Sequence, residues 1–319
     1  MSREIEGRVL SGINSIFAVE TAEGRLLCSI KGKRLDTDSR FHNPIAAGDR
    51  VTVRRESASS GADQGTITNL LARATVLARW NKRTRAPQLM AANARTLFCM
   101  TTASSPPFRP RFLDRLIIAG EAGGLVPVIV LNKADLGVPE EVEDRLGAYE
   151  ELGYRVLVCS AETGRGIGAV EEIGREGLAV MAGQSGVGKS SVLNRMDPSL
   201  ELRVGEVSEK HDRGVHTTTA SVLFRLANGI EVVDTPGMRE LEVTGIRPAE
   251  LRHHFPEFAA PAARCEYEGC LHVDEEKCGV REAAGSGDVH PDRYESYLRT
   301  YEQVCEAARQ RHEPGSGAR

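Results

Sequence analysis

Residues Gly183 to Ser191 read Gly-Gln-Ser-Gly-Val-Gly-Lys-Ser-Ser, a fit to G-x-x-x-x-G-K-S, and no other stretch restricts the fold of this chain as much. The pattern needs a strand before it and a helix after it. The apolar run from Leu178 to Ala182 supplies the first, and Ser190 to Met196 reads as the opening turns of the second. Gly183, Gly186 and Gly188 let backbone N–H groups turn inward on phosphate oxygens, with Gln184, Ser185, Val187 and Ser191 completing the loop. Lys189 then reaches the terminal phosphates, Ser190 is placed to ligate Mg²⁺, and the helix presents its positive N-terminal end. A nucleoside triphosphate is the implied ligand.

The base is decided upstream of this loop. From residue 91 the pattern alternates strands with helical stretches, as in an α/β domain with a largely parallel sheet. Thr96 to Thr101 reads as a buried strand, Arg111 to Ala122 as a helix, and Val126 to Leu131 as a second strand that runs into Asn132-Lys133-Ala134-Asp135, a fit to N-K-x-D. The Asp135 carboxylate can accept from the ring N1–H and the 2-amino group of guanine, whereas adenine offers neither donor. At about 1.5–3 kcal/mol per charge-assisted hydrogen bond, guanine is favoured by several orders of magnitude. A third strand, Arg155 to Cys159, ends in Ser160-Ala161, a dipeptide that in guanine-nucleotide domains offers a backbone N–H to guanine O6. Beyond the phosphate loop, Gly229 to Val233 reads as a strand ending in Asp234-Thr235-Pro236-Gly237. Asp234 is placed to hold Mg²⁺, directly or through water, and Gly237 to offer its N–H to the γ-phosphate. In the loop Arg213 to Thr219, one of Thr217 or Thr218 is expected to ligate Mg²⁺ while the γ-phosphate is present.

The flanks differ from this centre. Residues 1 to about 75 read as short strands, Ser15 to Val19, Arg25 to Ile30, Asp49 to Val53 and Gly65 to Asn69, which suggests an oligonucleotide-binding (OB) barrel. The net charge of -4 divides unevenly, since residues 1–90 hold 15 Lys and Arg against 9 Asp and Glu. The basic end is therefore the expected surface for RNA. Only Phe17 and Phe41 precede Trp80 among the aromatics, so contact through phosphates, with Lys31, Lys33, Arg34, Arg54 and Arg55 as candidates, is expected over base stacking. Residues 76–90, with Arg79, Trp80, Lys82, Arg83 and Arg85 before Pro87, read as a basic interdomain linker that orders on RNA. The nucleotide domain is expected over 91–245. Residues 246–319 form a last unit, in which Cys265, Cys270, His272 and Cys278 suit a closed, structural Zn²⁺ site. Asp292 is expected to cap a helix carrying an apolar stripe through Tyr294, Tyr297, Leu298, Tyr301 and Val304, and the Pro-, Gly- and Ser-rich tail from Glu313 is expected to be disordered. The remaining cysteines are scattered, the N-terminus has no apolar h-region, and no run of about 18 apolar residues exists to cross a membrane, so a cytoplasmic protein is expected.

In the usual guanine-nucleotide domain the phosphate loop comes first and N-K-x-D comes last. Here Asn132 to Asp135 and Ser160-Ala161 precede Gly183 to Ser190, Thr217 and Asp234 to Gly237, so the domain is circularly permuted. With a barrel before it and a Cys/His cluster after it, the chain resembles the ribosome small-subunit-dependent GTPase A family (RsgA, also called YjeQ). The resemblance implies a GTPase that binds the small ribosomal subunit and its rRNA late in assembly, is activated by it, and leaves after hydrolysis to GDP. It departs from the family at Val215, where Arg is usual, and at Arg95, where an acidic residue is common. Met238 stands where many GTPases place the glutamine that orients water, and a thioether cannot do so. His216, in the first switch, is the expected replacement and the residue to which the resemblance also points. Lys189, Thr217 and Thr218 complete the expected catalytic set. A nucleotide-gated rRNA-binding module with little hydrolysis is the alternative, and a monomer is expected in either case. Because the chain passes from the second switch to the Cys/His cluster without another motif, nucleotide state is expected to set the orientation of the last domain.

Overall fold

The computed structural model describes residues 4–30, 41–55, 63–202 and 220–312. At its centre lies a six-stranded sheet made of β8 (Thr96–Thr102), β9 (Val126–Asn132), β10 (Arg155–Val158), β11 (Ala179–Gly183), β12 (Val222–Arg225) and β13 (Glu231–Asp234), in the order β10-β9-β8-β11-β13-β12. All neighbours are parallel except β12 against β13. Side chains alternate between the two faces. Leu97 and Cys99, Ile129 and Leu131, and Val180 and Ala182 share one core with α1 (Pro110–Ala122) and α2 (Glu140–Glu151). Phe98 and Met100, Val128 and Val130, and Ala179 and Met181 share another with α3 (Ile167–Gly174) and α4 (Lys189–Met196). The near-continuous apolar strands follow from this double coverage.

The chain builds the sheet in two halves. It runs outward through β8, β9 and β10, then jumps back so that β11 pairs with the other edge of β8. The reversal puts a topological switch point between β8 and β11, and the crevice at the C-terminal ends of such strands is where open α/β sheets bind ligands.

At the N-terminus, β1 (Glu4–Ile13), β2 (Ile16–Thr21), β3 (Gly24–Ile30), β4 (Arg50–Arg55) and β5 (Gln64–Leu70) close a barrel in the order β1-β2-β3-β5-β4, with β1 paired to β4 and β3 parallel to β5. This is the expected five-stranded OB-type barrel, and β1 is a strand that the sequence reading did not single out. Lys31, Lys33 and Arg34 lie outside the described residues, while Arg54 and Arg55 pair with Glu4 and Glu23 on the barrel surface.

Residues 76–90 are not a linker. They form an antiparallel hairpin, β6 (Val76–Asn81) with β7 (Ala86–Ala92), in which Leu77, Trp80 and Leu89 are buried. The basic residues hid this, because Lys82, Arg83 and Arg85 form the turn and only Arg79 lies on a strand. The hairpin joins the barrel through the bridge Ala47↔Ala91, and Arg73 pairs at 2.7 Å with the fully buried Asp49.

The C-terminal part holds α5 (Ala259–Ala262), α6 (Gly279–Ser286) and the long α7 (Pro291–His312). The helix begins one residue before Asp292, so that aspartate is not its cap. The Asp292 N–H instead donates to His290 Nδ1 at 3.1 Å, and its carboxylate pairs with Arg111 on α1. Tyr297 and Val304 are buried with Phe255 and Phe258 as the apolar stripe implied, and Tyr294, Leu298 and Tyr301 pack against them. Among the described residues no helix is long and apolar enough to cross a membrane.

Candidate functional site

Every described motif lies at the C-terminal end of a parallel strand. The phosphate loop follows β11, Asn132 to Asp135 ends β9, Ser160-Ala161 follows β10, and Asp234 to Gly237 ends β13. Asn132, 1% exposed, binds the first three together. Its Nδ2 donates to the Val187 carbonyl in the phosphate loop at 3.0 Å, and its Oδ1 accepts the Ala161 N–H at 3.0 Å. An amide is the one short neutral side chain that carries a donor and an acceptor side by side, which explains asparagine here.

The three loop glycines serve different ends, where the sequence reading gave them one. Gly183 is still part of β11, and a Cβ there would lie 2.4 Å from the Met100 carbonyl oxygen on β8, so close strand packing requires it. Gly186 takes φ +84°, and the nearest atom to an added Cβ is Pro106 Cδ at an ordinary 3.6 Å. Glycine at Gly186 is therefore set by the left-handed turn of the backbone and not by lack of space. Gly188 has both constraints, because φ is +89° and a Cβ would overlap the Asn132 amide.

The base-selecting end is preorganised. The Ser160 hydroxyl donates to Asp135 Oδ1 and accepts the Thr163 N–H at 3.1 Å, so it orients a carboxylate that stays exposed at the crevice. The sequence reading assigned this dipeptide only its backbone role. Lys133 adopts φ +64° and donates from Nζ to the Ser105 carbonyl at 2.8 Å.

At the phosphate end, Lys189 is 8% exposed and Asp234 is mostly enclosed. Burial pushes Asp234 up to about 6, countered by the Lys189 charge, and burial likewise pulls Lys189 below its ordinary value, countered by Asp234. Asp234 Oδ1 is buried with no hydrogen-bond partner. A buried carboxylate oxygen without a donor, on the strand next to the one that feeds Ser190 and its phosphate loop, fits a hard cation with oxygen ligands. Gly237 passes so close to Ser185 that a Cβ would lie 2.8 Å from its Cα, and Met238 donates its N–H to the Gly183 carbonyl at 3.1 Å. The Met238 side chain is 2% exposed, packed in the core, so it offers nothing to a water. His216, Thr217 and Thr218 lie outside the described residues.

The segment that leaves this site is held on both sides. Arg115 Nε donates to the Leu241 carbonyl at 2.8 Å, and the Trp80 N–H donates to the Glu242 carbonyl at 2.9 Å.

A separate cluster gathers in the C-terminal part. One ligand atom each from Cys265, Cys270, His272 and Cys278 lies within 4.8 Å of the others, an arrangement able to hold a metal ion. His272 adopts φ +60°, its carbonyl accepts from the Tyr294 hydroxyl at 2.8 Å, and Glu275 accepts the Leu271 and Val273 N–H groups at 2.6 and 2.9 Å. The turn is thus tied to α7 and to itself.

The profile described as RsgA GTPase matches residues 70–244. A protein of Borrelia garinii named small ribosomal subunit biogenesis GTPase RsgA is 36% identical over 302 residues, covering 94% of this chain and 96% of its own. The protein of the same name from Chlorobaculum tepidum is 35% identical, covering 96% and 100%. Among solved structures, YjeQ from Thermotoga maritima superposes with a TM-score of 0.69 at 33% identity, covering 95% of this chain and 99% of its own. YloQ, described as a circularly permuted GTPase, gives 0.63 at 25% identity and covers 98% of both chains. A permuted motif order, a five-stranded barrel before it and a Cys/His cluster after it are thus joined by similarity along nearly the whole length, and the chain belongs to the RsgA GTPase family.

Proposed function

We propose that this protein hydrolyses GTP and acts in the biogenesis of the small ribosomal subunit, binding the subunit and its rRNA and leaving once GDP has formed. The observation that carries the GTPase reading is the Asn132 amide, which holds the phosphate loop and the base-selecting motif in one register. Asp135, oriented by Ser160, selects guanine, and the loop from Gly183 to Ser191 cradles the phosphates with Lys189 neutralising charge. Mg²⁺, bound by Ser190, Asp234 and one of Thr217 or Thr218, supplies further neutralisation of the phosphate oxygens. Catalysis is then mainly positioning and electrostatics. His216 orients the attacking water, a task that the buried Met238 cannot perform.

The second metal is Zn²⁺. Zn–S bonds of about 2.3 Å in a tetrahedron put sulfurs about 3.8 Å apart. Cys265 and Cys278 Sγ lie 3.9 Å apart, and His272 Nδ1 lies 3.6 and 3.3 Å from them. Four protein ligands close the shell, so the role is structural. The barrel and hairpin supply the RNA-facing end, and the protein works as a cytoplasmic monomer.

The deciding measurement is GTP turnover by the purified protein, alone and with small ribosomal subunits, with ATP in parallel. Strong stimulation by subunits with ATP inert is the expected outcome. Tight GTP binding with negligible turnover in both conditions would replace the enzyme with a nucleotide-gated RNA-binding module, the reading that Met238 keeps open.

A further inference from the structure

The barrel, the hairpin and the nucleotide domain meet around a cavity of about 340 Å³ that shares no residue with the phosphate loop. The barrel lends it Ile13, Phe17 and Ile30 beside Asn14 and Ser15, the hairpin lends Arg79 and Gln88 beside Leu89 and Met90, and Pro236 comes from the Asp234 to Gly237 motif. Arg79 is the unusual group. It is half-buried, and burial pulls its pKa below the ordinary arginine value. The better-buried Arg73, Arg145 and Arg293 each meet a carboxylate, but among the described residues none reaches Arg79. Its Nε and Nη2 both donate to Gln88 Oε1 at 3.3 Å, and Asn81 Nδ2 donates to the same oxygen at 3.2 Å. Three donors converge on one amide oxygen, and the other N–H groups of the guanidinium have no protein acceptor among the described residues. A partly desolvated cation with donors left over is destabilising until an anion completes it.

We propose that this cavity is a second nucleotide-binding site, which takes a nucleoside monophosphate unit with its phosphate on Arg79 and its base against Ile13, Phe17 and Ile30. Two features select a nucleotide over a bare anion. The lining sets apolar side chains beside a single guanidinium, and the volume falls in the range of about 300–1,000 Å³ usual for small-molecule sites. Ile13 is 46% exposed and Ile16 54%, so the apolar wall opens at the β1–β2 turn where a strand of RNA can reach it. An unpaired residue of an RNA strand and a free nucleotide present the same chemistry to these walls.

The test uses the full chain saturated with GDP, so that the first site is closed to the probes. The Arg79 Nε–H NMR signal is followed while uridine 5′-monophosphate, a uridine hexanucleotide or inorganic phosphate is added. The signal is expected to move with a uridine probe, and Arg79→Met is expected to weaken that binding roughly tenfold or more, the worth of a charge-assisted hydrogen bond. The melting temperature should not fall, since the substitution removes a cation that meets no carboxylate among the described residues. Ile13→Asp, a change at the open rim, should weaken binding as well by placing a hydrated charge where the base packs. Response to the hexanucleotide alone identifies RNA as the source, and response to the monophosphate alone identifies a free nucleotide. A signal that moves with neither, or equal affinity in Arg79→Met, overturns the site. Inorganic phosphate binding as tightly as the monophosphate overturns its nucleotide character.

Discussion

At its β12 edge the central sheet meets the barrel through Arg8, Glu20, Arg225 and Glu231, and on its α1–α2 side it meets the C-terminal part through Asp114, Arg145, Glu257 and Arg293. The residue types are the same and the environments are opposite. Arg225 pairs with Glu20 at 2.9 Å and with Glu231 at 2.8 Å, its side chain 58% exposed, and Arg8, 37% exposed, also reaches Glu231. Asp114 is fully buried. It receives Arg293 Nη1 at 2.6 Å and Tyr149 Oη at 2.5 Å, while Arg293 also grips Glu257 with two nitrogens at 2.6 and 3.0 Å and lies 4.6 Å over the Phe255 ring. Exposed pairs contribute about 0–1 kcal/mol, whereas removing one partner of a buried pair strands a charge and costs about 3–5 kcal/mol. The C-terminal part is therefore bolted to the sheet's helices, whereas at the β12 edge the barrel is held by more exposed ion pairs and takes its firmer hold from the hairpin, through the Ala47↔Ala91 bridge, and from Leu10 and Ala47 in the core beneath β8 and β11. The segment from Met238 onward is also held by Trp80 and Arg115.

Removing the metal should break the comparison most completely. Chelation is expected to unfold the turn from Cys265 to Cys278 and to expose it to protease, with the barrel and sheet still protected; an unchanged digestion pattern would mean that the cluster needs no ion. Asp114→Ala comes next, at about 3–5 kcal/mol of unfolding free energy, because Arg293 and Arg145 lose their shared carboxylate. Denaturant titration reads it directly, and a loss near 1 kcal/mol would show that the buried network holds little. Arg225→Ala should be smallest, about 1 kcal/mol or less and smaller still at high salt. A larger loss there would mean that the barrel is bolted too.

Contiguous motifs were legible because each packs its chemistry into a few residues at a strand end. Gly183 to Ser191, Asn132 to Asp135 and Asp234 to Gly237 all converge on one crevice. The strand β1 was hidden by its own glycines. Gly7 and Gly12 interrupt its apolar pattern, yet a Cβ at either would lie 2.5 Å from Val19 or Phe17, so they mark close packing inside the barrel. The hairpin was hidden by charge, since Arg79, Lys82, Arg83 and Arg85 dominate the middle of the stretch, and the buried residues at its ends, Leu77 with Ala78 and Leu89 to Ala92, run consecutively and do not alternate. The Asp114–Arg293 pair joins residues far apart in the chain and leaves no local pattern at all. The Ser160 hydroxyl on Asp135 is of the same kind, a contact between two strand ends that only the sheet order brings together.

The seam between β8 and β11 has a consequence for synthesis. Residues on one side of it carry the base-selecting motif and residues on the other carry the phosphate loop and its acid, with Asn132 to Val187 as the stitch between them. Chains emerge from the N-terminus first. A nascent chain that has reached Ser160 carries Asn132 to Asp135 but not the loop from Gly183 to Ser191. Nucleotide affinity therefore arrives only when the second half has docked, and bound nucleotide then stabilises the joined halves in proportion to the logarithm of its concentration over its dissociation constant. In a permuted chain of this design the ligand serves as a late certificate that translation of the catalytic core is complete.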